Sequence, residues 1–420
     1  MQVMAQSLIG LAVVLGLAWV FSENRRALPP WRWILGAVVM QIVIALVVLR
    51  VPLIWEGLRA ANAGVAVLEQ ASRAGSSYMF GYLGGAELPF ALKPGATPPL
   101  VIAFQILPLV IFTSALAALL WHFGVLRIIV RGLSWALQRT LGIGGAVGLN
   151  AGANIFLGVV EAPLVVRAYL RSMSRAELFM IMTLGMSTVS GVVLILYSQT
   201  LAKVVDNAFG HIITASLICL PASLLLSRIM VPGESRTGAN PRGEESLTYD
   251  GPVDAVVRGT MDGLQLFLAV IAVLMVVFSL VALVDHMLGL LPSIAGAPLS
   301  LQRALGWLFA PLRWTLGVPW SESAVAGSLM GTKAILNEYV AYQQLANSVA
   351  AQLSPRSTLI VTYALCGFAN LASIGLQVST LTTLCPERRA EIVGLGFKSW
   401  ISGNLATAMI GAVVGLITPP

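Results

Sequence analysis

Two carboxylates stand where apolar side chains are expected: Glu161 inside NIFLGVVEAPLVV (154–166) and Glu338 inside KAILNEYVAY (333–342). A charge left in hydrocarbon costs several kcal/mol, so each acid must face protein, water or a ligand. The chemistry open to such a pair is to hold hydroxyl groups, to hold a cation, or to exchange a proton. A purely structural acid, bonded to the amides of its own segment, is the competing explanation for either one alone. Asn370 and Ser373 are three apart and would share a helix face, able to donate and accept toward a polyol. Interhelical hydrogen bonding would explain them equally well. Phe368 beside them serves either packing or stacking. Asn154, Ser187, Thr188 and Ser190 could offer oxygen to a small cation, although hydroxyls within a span usually bond their own helix.

The elements that position these groups belong to a membrane protein. The 420 residues are 57% hydrophobic and only 10% charged, with a mean hydropathy of +0.87, too apolar for a soluble domain. The net charge of +7 does not indicate a nucleic-acid partner, because Lys and Arg sit in short segments between apolar runs and not in a basic stripe. Cys219, Cys366 and Cys385 are too scattered for a disulfide framework or a metal site. The run from Met4 to Phe21 has no basic leader and no cleavage site, so it reads as a retained first span.

Runs of span length fall at about 4–22, 33–55, 99–121, 175–201, 209–230, 263–290, 357–383 and 397–417. Two further stretches, 143–170 and 322–347, each carry one Glu and split into halves of about ten residues. At about 1.5 Å per residue such a half reaches only midway through the hydrocarbon, so both read as re-entrant hairpins. With the N-terminus outside, one face collects Arg25, Arg26, Arg32, Arg127, Arg131, Arg139, Arg171, Arg175, Arg228, Arg388, Arg389 and Lys398, which marks it as cytoplasmic. The other face collects fewer, including Arg50, Arg59, Arg73, Lys93, Lys203, Arg303 and Arg313. The first hairpin then opens inward and the second outward.

The expected organisation is all-α and polytopic. Residues 1–121 hold three spans, 122–142 an amphipathic helix on the cytoplasmic surface, 143–232 the first hairpin and two spans, and 233–262 a flexible cytoplasmic linker. Residues 263–291 form one long helix, and 292–420 an external interfacial helix (301–317), the second hairpin and two spans. The order of interfacial helix, Glu-bearing hairpin, interrupted span and plain span thus occurs on both sides of the linker. The interrupted spans are LGMSTVSGVV (184–193) and CGFANLASIG (366–375). A helix breaks at membrane depth only where its freed backbone faces a cavity or ion. Two oppositely oriented copies with such breaks indicate a secondary transporter.

ANIFLGVVEAPLVVR, LNEYVAY and above all TYALCGFANLASIGLQ (362–377) resemble the concentrative nucleoside transporter family, and the layout matches from about residue 99 onward. The resemblance implies an ion-coupled symporter in the bacterial inner membrane, a homotrimer joined through the long helix, which imports nucleosides by elevator-like movement. It implies ribose contacts at Glu338, Asn370 and Ser373, with Phe368 beside them. The base end would fall on Gly158, Val159, Val160, Glu161 and Val193, and a sodium site on Asn154, Leu157, Thr188 and Val189. Sodium is the expected coupling ion, with the proton as alternative, and no other cofactor is implied. One departure stands out. The family's Gly-Gln-Thr/Ser-Glu is here GVVE, so the polar pair that would read a base is lost. A different sugar-containing solute is therefore a competing substrate. An intramembrane enzyme using Glu161 and Glu338 as acid and base is a weaker reading, because His122, His211 and His286 are scattered and no HExxH run occurs.

Overall fold

The computed structural model describes residues 2–91, 101–235, 237, 248–294 and 298–419, and these are helical with no extended sheet. The helices are α1 (Gln2–Val20), α2 (Trp31–Arg50), α3 (Pro52–Phe80), α4 (Ile102–Gln105), α5 (Pro108–His122), α6 (Val125–Leu141), α7 (Gly145–Asn154), α8 (Gly158–Val165) and α9 (Arg175–Ser187). They continue with α10 (Gly191–Leu201), α11 (Ala208–Met230), α12 (Pro252–Gly289), α13 (Leu301–Thr315), α14 (Trp320–Ile335), α15 (Glu338–Gln344), α16 (Pro355–Leu365), α17 (Leu371–Leu384) and α18 (Arg389–Ile417).

Polar contacts sort the helix ends into two layers. In the first, Glu23 accepts from Arg175 and Lys398, both at 2.8 Å, Trp33 Nε1 donates to Leu141 O (2.9 Å), and Arg388 donates to the carbonyls of Leu170 and Met173. The two cations, Arg175 foremost, hold the Glu23 carboxyl down at about 2. In the second layer Ser7 Oγ donates to Leu316 O (3.0 Å), and Arg356 donates to the carbonyls of Gly317, Gly415 and Thr418. The first layer carries Arg175, Arg388 and Lys398, three of the charges expected in the cytoplasm. Among the described residues six elements have the length and apolarity of a span, α4–α5 and α9–α10 each counted as one of them. Helix α1 and the pair α16–α17 run between the same layers, which makes eight layer-to-layer elements among the described residues.

The hairpins point in opposite directions. Helices α7 and α8 enter near Gly144, whose N–H donates to Ser235 Oγ (3.1 Å), and leave near Leu170, both in the first layer. Helices α14 and α15 open in the second, where Glu322 accepts from the backbone N–H and the hydroxyl of Ser354, each at 3.1 Å. Each span with a break follows its hairpin, so the repeated order found in the sequence is the order of the fold.

Four expectations are corrected. The span placed at 33–55 ends at Arg50, because Pro52 opens the separate 29-residue α3, an amphipathic helix whose Glu56, Arg59, Glu69 and Arg73 disguised it. The linker placed at 233–262 is helical from Pro252 onward: Asp254 and Arg258 pair across one turn at 2.8 Å, and these surface charges begin the 38-residue α12. Within the remaining linker Thr237 docks on Glu177 (N–H to Oε1, 3.0 Å), while the flexibility expected of 236 and 238–247 falls outside the described residues. The span expected at 99–121 likewise begins outside them, and its described part is broken at Pro108. Arg313, counted among charges facing the outer water, is completely buried.

Candidate functional site

All four membrane-depth breaks have local causes. Hairpin 1 turns at Gly158, whose φ of +89° suits glycine, and a Cβ there would lie 2.8 Å from that of Ser190. Hairpin 2 turns at Asn337, which caps α15 by accepting from Val340 N (2.9 Å). Helix α9 stops at Thr188, and Ser190 is extended before α10 restarts. Helix α16 stops at Cys366, and Asn370 caps α17 by accepting from the Ser373 N–H (2.9 Å). The first and third breaks are tied together where Gly191 N donates to Phe156 O (3.2 Å).

A cavity of about 280 Å³ opens where hairpin 2, α10 and α17 meet α12. Its polar wall is one continuous chain of hydrogen bonds. Tyr197 Oη donates to Glu338 Oε1, Asn370 Nδ2 donates to Glu338 Oε2 (3.2 Å), and Ser373 Oγ donates to Asn370 Oδ1 (2.9 Å). Glu338, Asn370, Ser373 and Tyr197 are all buried. The remaining wall includes Val193, Leu196, Phe368 and, from α12, Leu266, Ala269 and Val270. Carboxylate, amide and hydroxyl grouped in an apolar chamber can take up the hydroxyls of a polyol while apolar contact receives its other end.

The structure thus brings together Glu338, Asn370, Ser373, Phe368 and Val193. Asn370 and Ser373 lie on one side at the start of α17, with Asn370 as the cap that precedes the helix and Ser373 in its first turn. The tip residues of hairpin 1 do not line this cavity. Val159 is buried close to Gly185, and Glu161 borders a separate space of about 30 Å³ with Tyr249, Ser114 and Asp262 of α12. The turn at Gly158 is the reason, since it sends the following residues toward α9 and α12. Tyr197 escaped the sequence reading because a lone Tyr near a span end ordinarily marks an interface. If its hydroxyl orients Glu338, Tyr197→Phe should raise the substrate KM roughly tenfold, within the ~1–3 kcal/mol of a buried hydrogen bond, at unchanged protein yield. An unchanged KM would remove Tyr197 from the site.

The residues matched to a cation site also converge. Asn154 ends α7, Leu157 precedes the Gly158 turn, and Thr188 and Val189 occupy the facing break. Asn154 Nδ2 donates to Asn150 Oδ1 (2.8 Å), but the fully enclosed Asn154 Oδ1 has no donor among the described residues. Thr188 spends its proton on Leu184 O (2.8 Å), which leaves its lone pairs available. A hard oxygen set with an unsatisfied acceptor fits a small cation such as sodium.

Comparison with known proteins places this geometry. Models described as the Na+ dependent nucleoside transporter N-terminus and C-terminus match residues 9–83 and 211–415, and one described as nucleoside recognition matches 103–204. The nucleoside permease NupC of Helicobacter pylori is 34% identical, over 98% of this chain and 97% of that protein. CNTnw in an inward-facing substrate-bound state superposes with a TM-score of 0.85 at 36% identity, covering 98% of each chain. A substituted CNTnw in an outward-facing state superposes with 0.87 at 35% identity, over 99% of this chain and 98% of that one. With the matched segments running nearly end to end, the chain belongs to the concentrative, Na+ dependent nucleoside transporter family and is a multi-pass membrane protein.

Proposed function

We propose that the protein is a symporter that imports nucleosides, or a closely similar ribose-containing solute, coupled to sodium and working by an elevator-type movement within a homotrimer. The observation that carries this reading is the chain Tyr197–Glu338–Asn370–Ser373 facing an otherwise apolar cavity. Without substrate these groups satisfy one another. A ribose can substitute its hydroxyls for those internal bonds at little net cost, whereas a solute without hydroxyls could displace them only by leaving buried polar atoms unpaired. Glu338, Asn370 and Ser373 would hold the sugar with Phe368 beside it. Val193 and Leu196 would meet the base, and Gly158, Val159, Val160 and Glu161 would approach it in another position of hairpin 1.

Asn154 and Thr188, with backbone carbonyls at Leu157 and Val189, would hold the sodium ion. The charge it brings to the breaks would couple its presence to the packing of hairpin 1. Movement is supported by the division of the cavity wall: α12, packed along α5, forms one side, and hairpin 2 with the broken helices forms the other. Trimer formation is supported by α12, which leaves Met275, Val276, Phe278 and Leu283 exposed within the single chain. A proton-coupled variant would draw on Glu161, which faces Asp262 across the same division. The enzyme reading loses support because Glu161 and Glu338 border different cavities.

The test is uptake in proteoliposomes under separate sodium and proton gradients, with a competition panel of purine and pyrimidine nucleosides, nucleobases and free sugars. Inward accumulation driven by sodium, blocked by nucleosides of both classes about equally and not by nucleobases, is the expected result. Because the cavity would receive the base through apolar Val193 and Leu196, the profile should vary less than tenfold among nucleosides. Blocking by free sugars alone would reassign the substrate, and product formation from a nucleoside would revive the enzyme.

A further inference from the structure

Arg313 and Lys333 are both fully enclosed, and neither is matched by an acid of its own among the described residues. Arg313 follows Gly306 and Ala310 along the buried stripe of α13, where small residues let α14 approach so closely that a Cβ at Gly327 would lie 2.4 Å from Gly306 O. An arginine near the end of a surface helix ordinarily extends its charged end to water. This one does not: Nε and both terminal nitrogens are buried without an acceptor among the described residues. Lys333, on the facing α14, donates to Thr407 Oγ1 of α18 (2.6 Å) and lies within electrostatic reach of Arg313 and Glu338. Glu338 is already engaged by Tyr197 and Asn370.

With Lys333 bonded to Thr407 and Glu338 already engaged, the Arg313 guanidinium is left without a counter-charge among the described residues, in a water-poor interior where an unpaired guanidinium is strongly unfavourable. We infer that Arg313 and Lys333 hold a small monovalent inorganic anion of the chloride class between α13, α14 and α18. The guanidinium supplies a fork of N–H donors and the ammonium two protons beyond the one given to Thr407. Complete enclosure requires an ion that sheds its water readily, which favours chloride or bromide over phosphate. The bound ion closes the charge balance and fastens hairpin 2 to α13 and α18.

The experiment measures thermal unfolding of the purified protein in sodium chloride, bromide and gluconate at equal sodium and ionic strength. Wild type should unfold about 2–5 °C higher in chloride or bromide than in gluconate, with a saturable dose response. Arg313→Met, which keeps the volume and removes the charge, should show no halide response. An equal midpoint in all three salts for wild type, as expected if water alone satisfies the donors, overturns the inference, and so does a halide response retained by Arg313→Met. Should that variant fail to fold, wild-type crystals grown in bromide decide the matter: an anomalous peak between Arg313 and Lys333 supports the site, and its absence there overturns it.

Discussion

Glu338→Gln should lower nucleoside uptake at least tenfold while leaving protein yield and helical content unchanged. The carboxylate accepts from two donors at once, Tyr197 Oη on one oxygen and Asn370 Nδ2 on the other. An amide of the same shape keeps an oxygen for Asn370 Nδ2 but turns an NH₂ toward Tyr197 Oη, which must then accept instead of donate, so the charge-assisted bonds and the ionised acceptor offered to a sugar hydroxyl are lost. Such a loss costs about 1–3 kcal/mol and more when a charge is involved, and about 1.4 kcal/mol already corresponds to tenfold in affinity. Asn370→Ala should act through the same network, removing both a donor to Glu338 and the cap of α17. The double variant should then lose less than the product of the single losses, because the residues share one partner chain. Wild-type uptake by Glu338→Gln and Asn370→Ala, measured as initial rates over a substrate series, would separate the cavity from transport altogether.

What could be read in advance followed from how strongly the membrane constrains sequence. A break at membrane depth needs glycine, asparagine or a hydroxyl at the interruption, and Gly158, Asn337, Ser190 and Asn370 stand in the four breaks for that reason. The arginine bias likewise gave the two layers, since charges at helix ends have nowhere else to go. Elements lying along the surface carry no such signal: α3 and the first turns of α12 are charged, amphipathic and helical, and a search for apolar runs passes over them. Individual side-chain directions were less legible still. Arg313 has the spacing of a surface residue on an amphipathic helix, yet small residues at 306 and 310 turn its stripe toward α14. Glu161 and Glu338 look equivalent in the sequence, but the left-handed turn at Gly158 directs one toward α12, while the Asn337 cap sets the other in the cavity. The consequence reaches the base end. Val159 is buried close to Gly185, so a glutamine there would bury an amide in an apolar contact with hairpin 1 placed as it is in this structure.

Asn154→Ala should raise the sodium concentration for half-maximal uptake at least tenfold, with Thr188→Val producing a smaller change in the same direction. The reasoning rests on which oxygens are available. Asn154 Oδ1 is enclosed and lacks a donor among the described residues, a condition that costs free energy unless a cation or water completes it. Thr188 already donates to Leu184 O, so its contribution to a cation is lone pairs that valine lacks, while the β-branched shape that fits the break is kept. A sodium ion between these groups would also fasten the end of α7 to the gap between α9 and α10, where the Gly191–Phe156 hydrogen bond now provides the link. The loss should therefore be selective: nucleoside affinity at saturating sodium stays within about threefold of wild type, since Glu338, Asn370 and Tyr197 are untouched, whereas the sodium dependence shifts. Uptake indifferent to sodium but driven by a pH gradient, and abolished by Glu161→Gln, would instead place the coupling group in the small cavity beside Asp262.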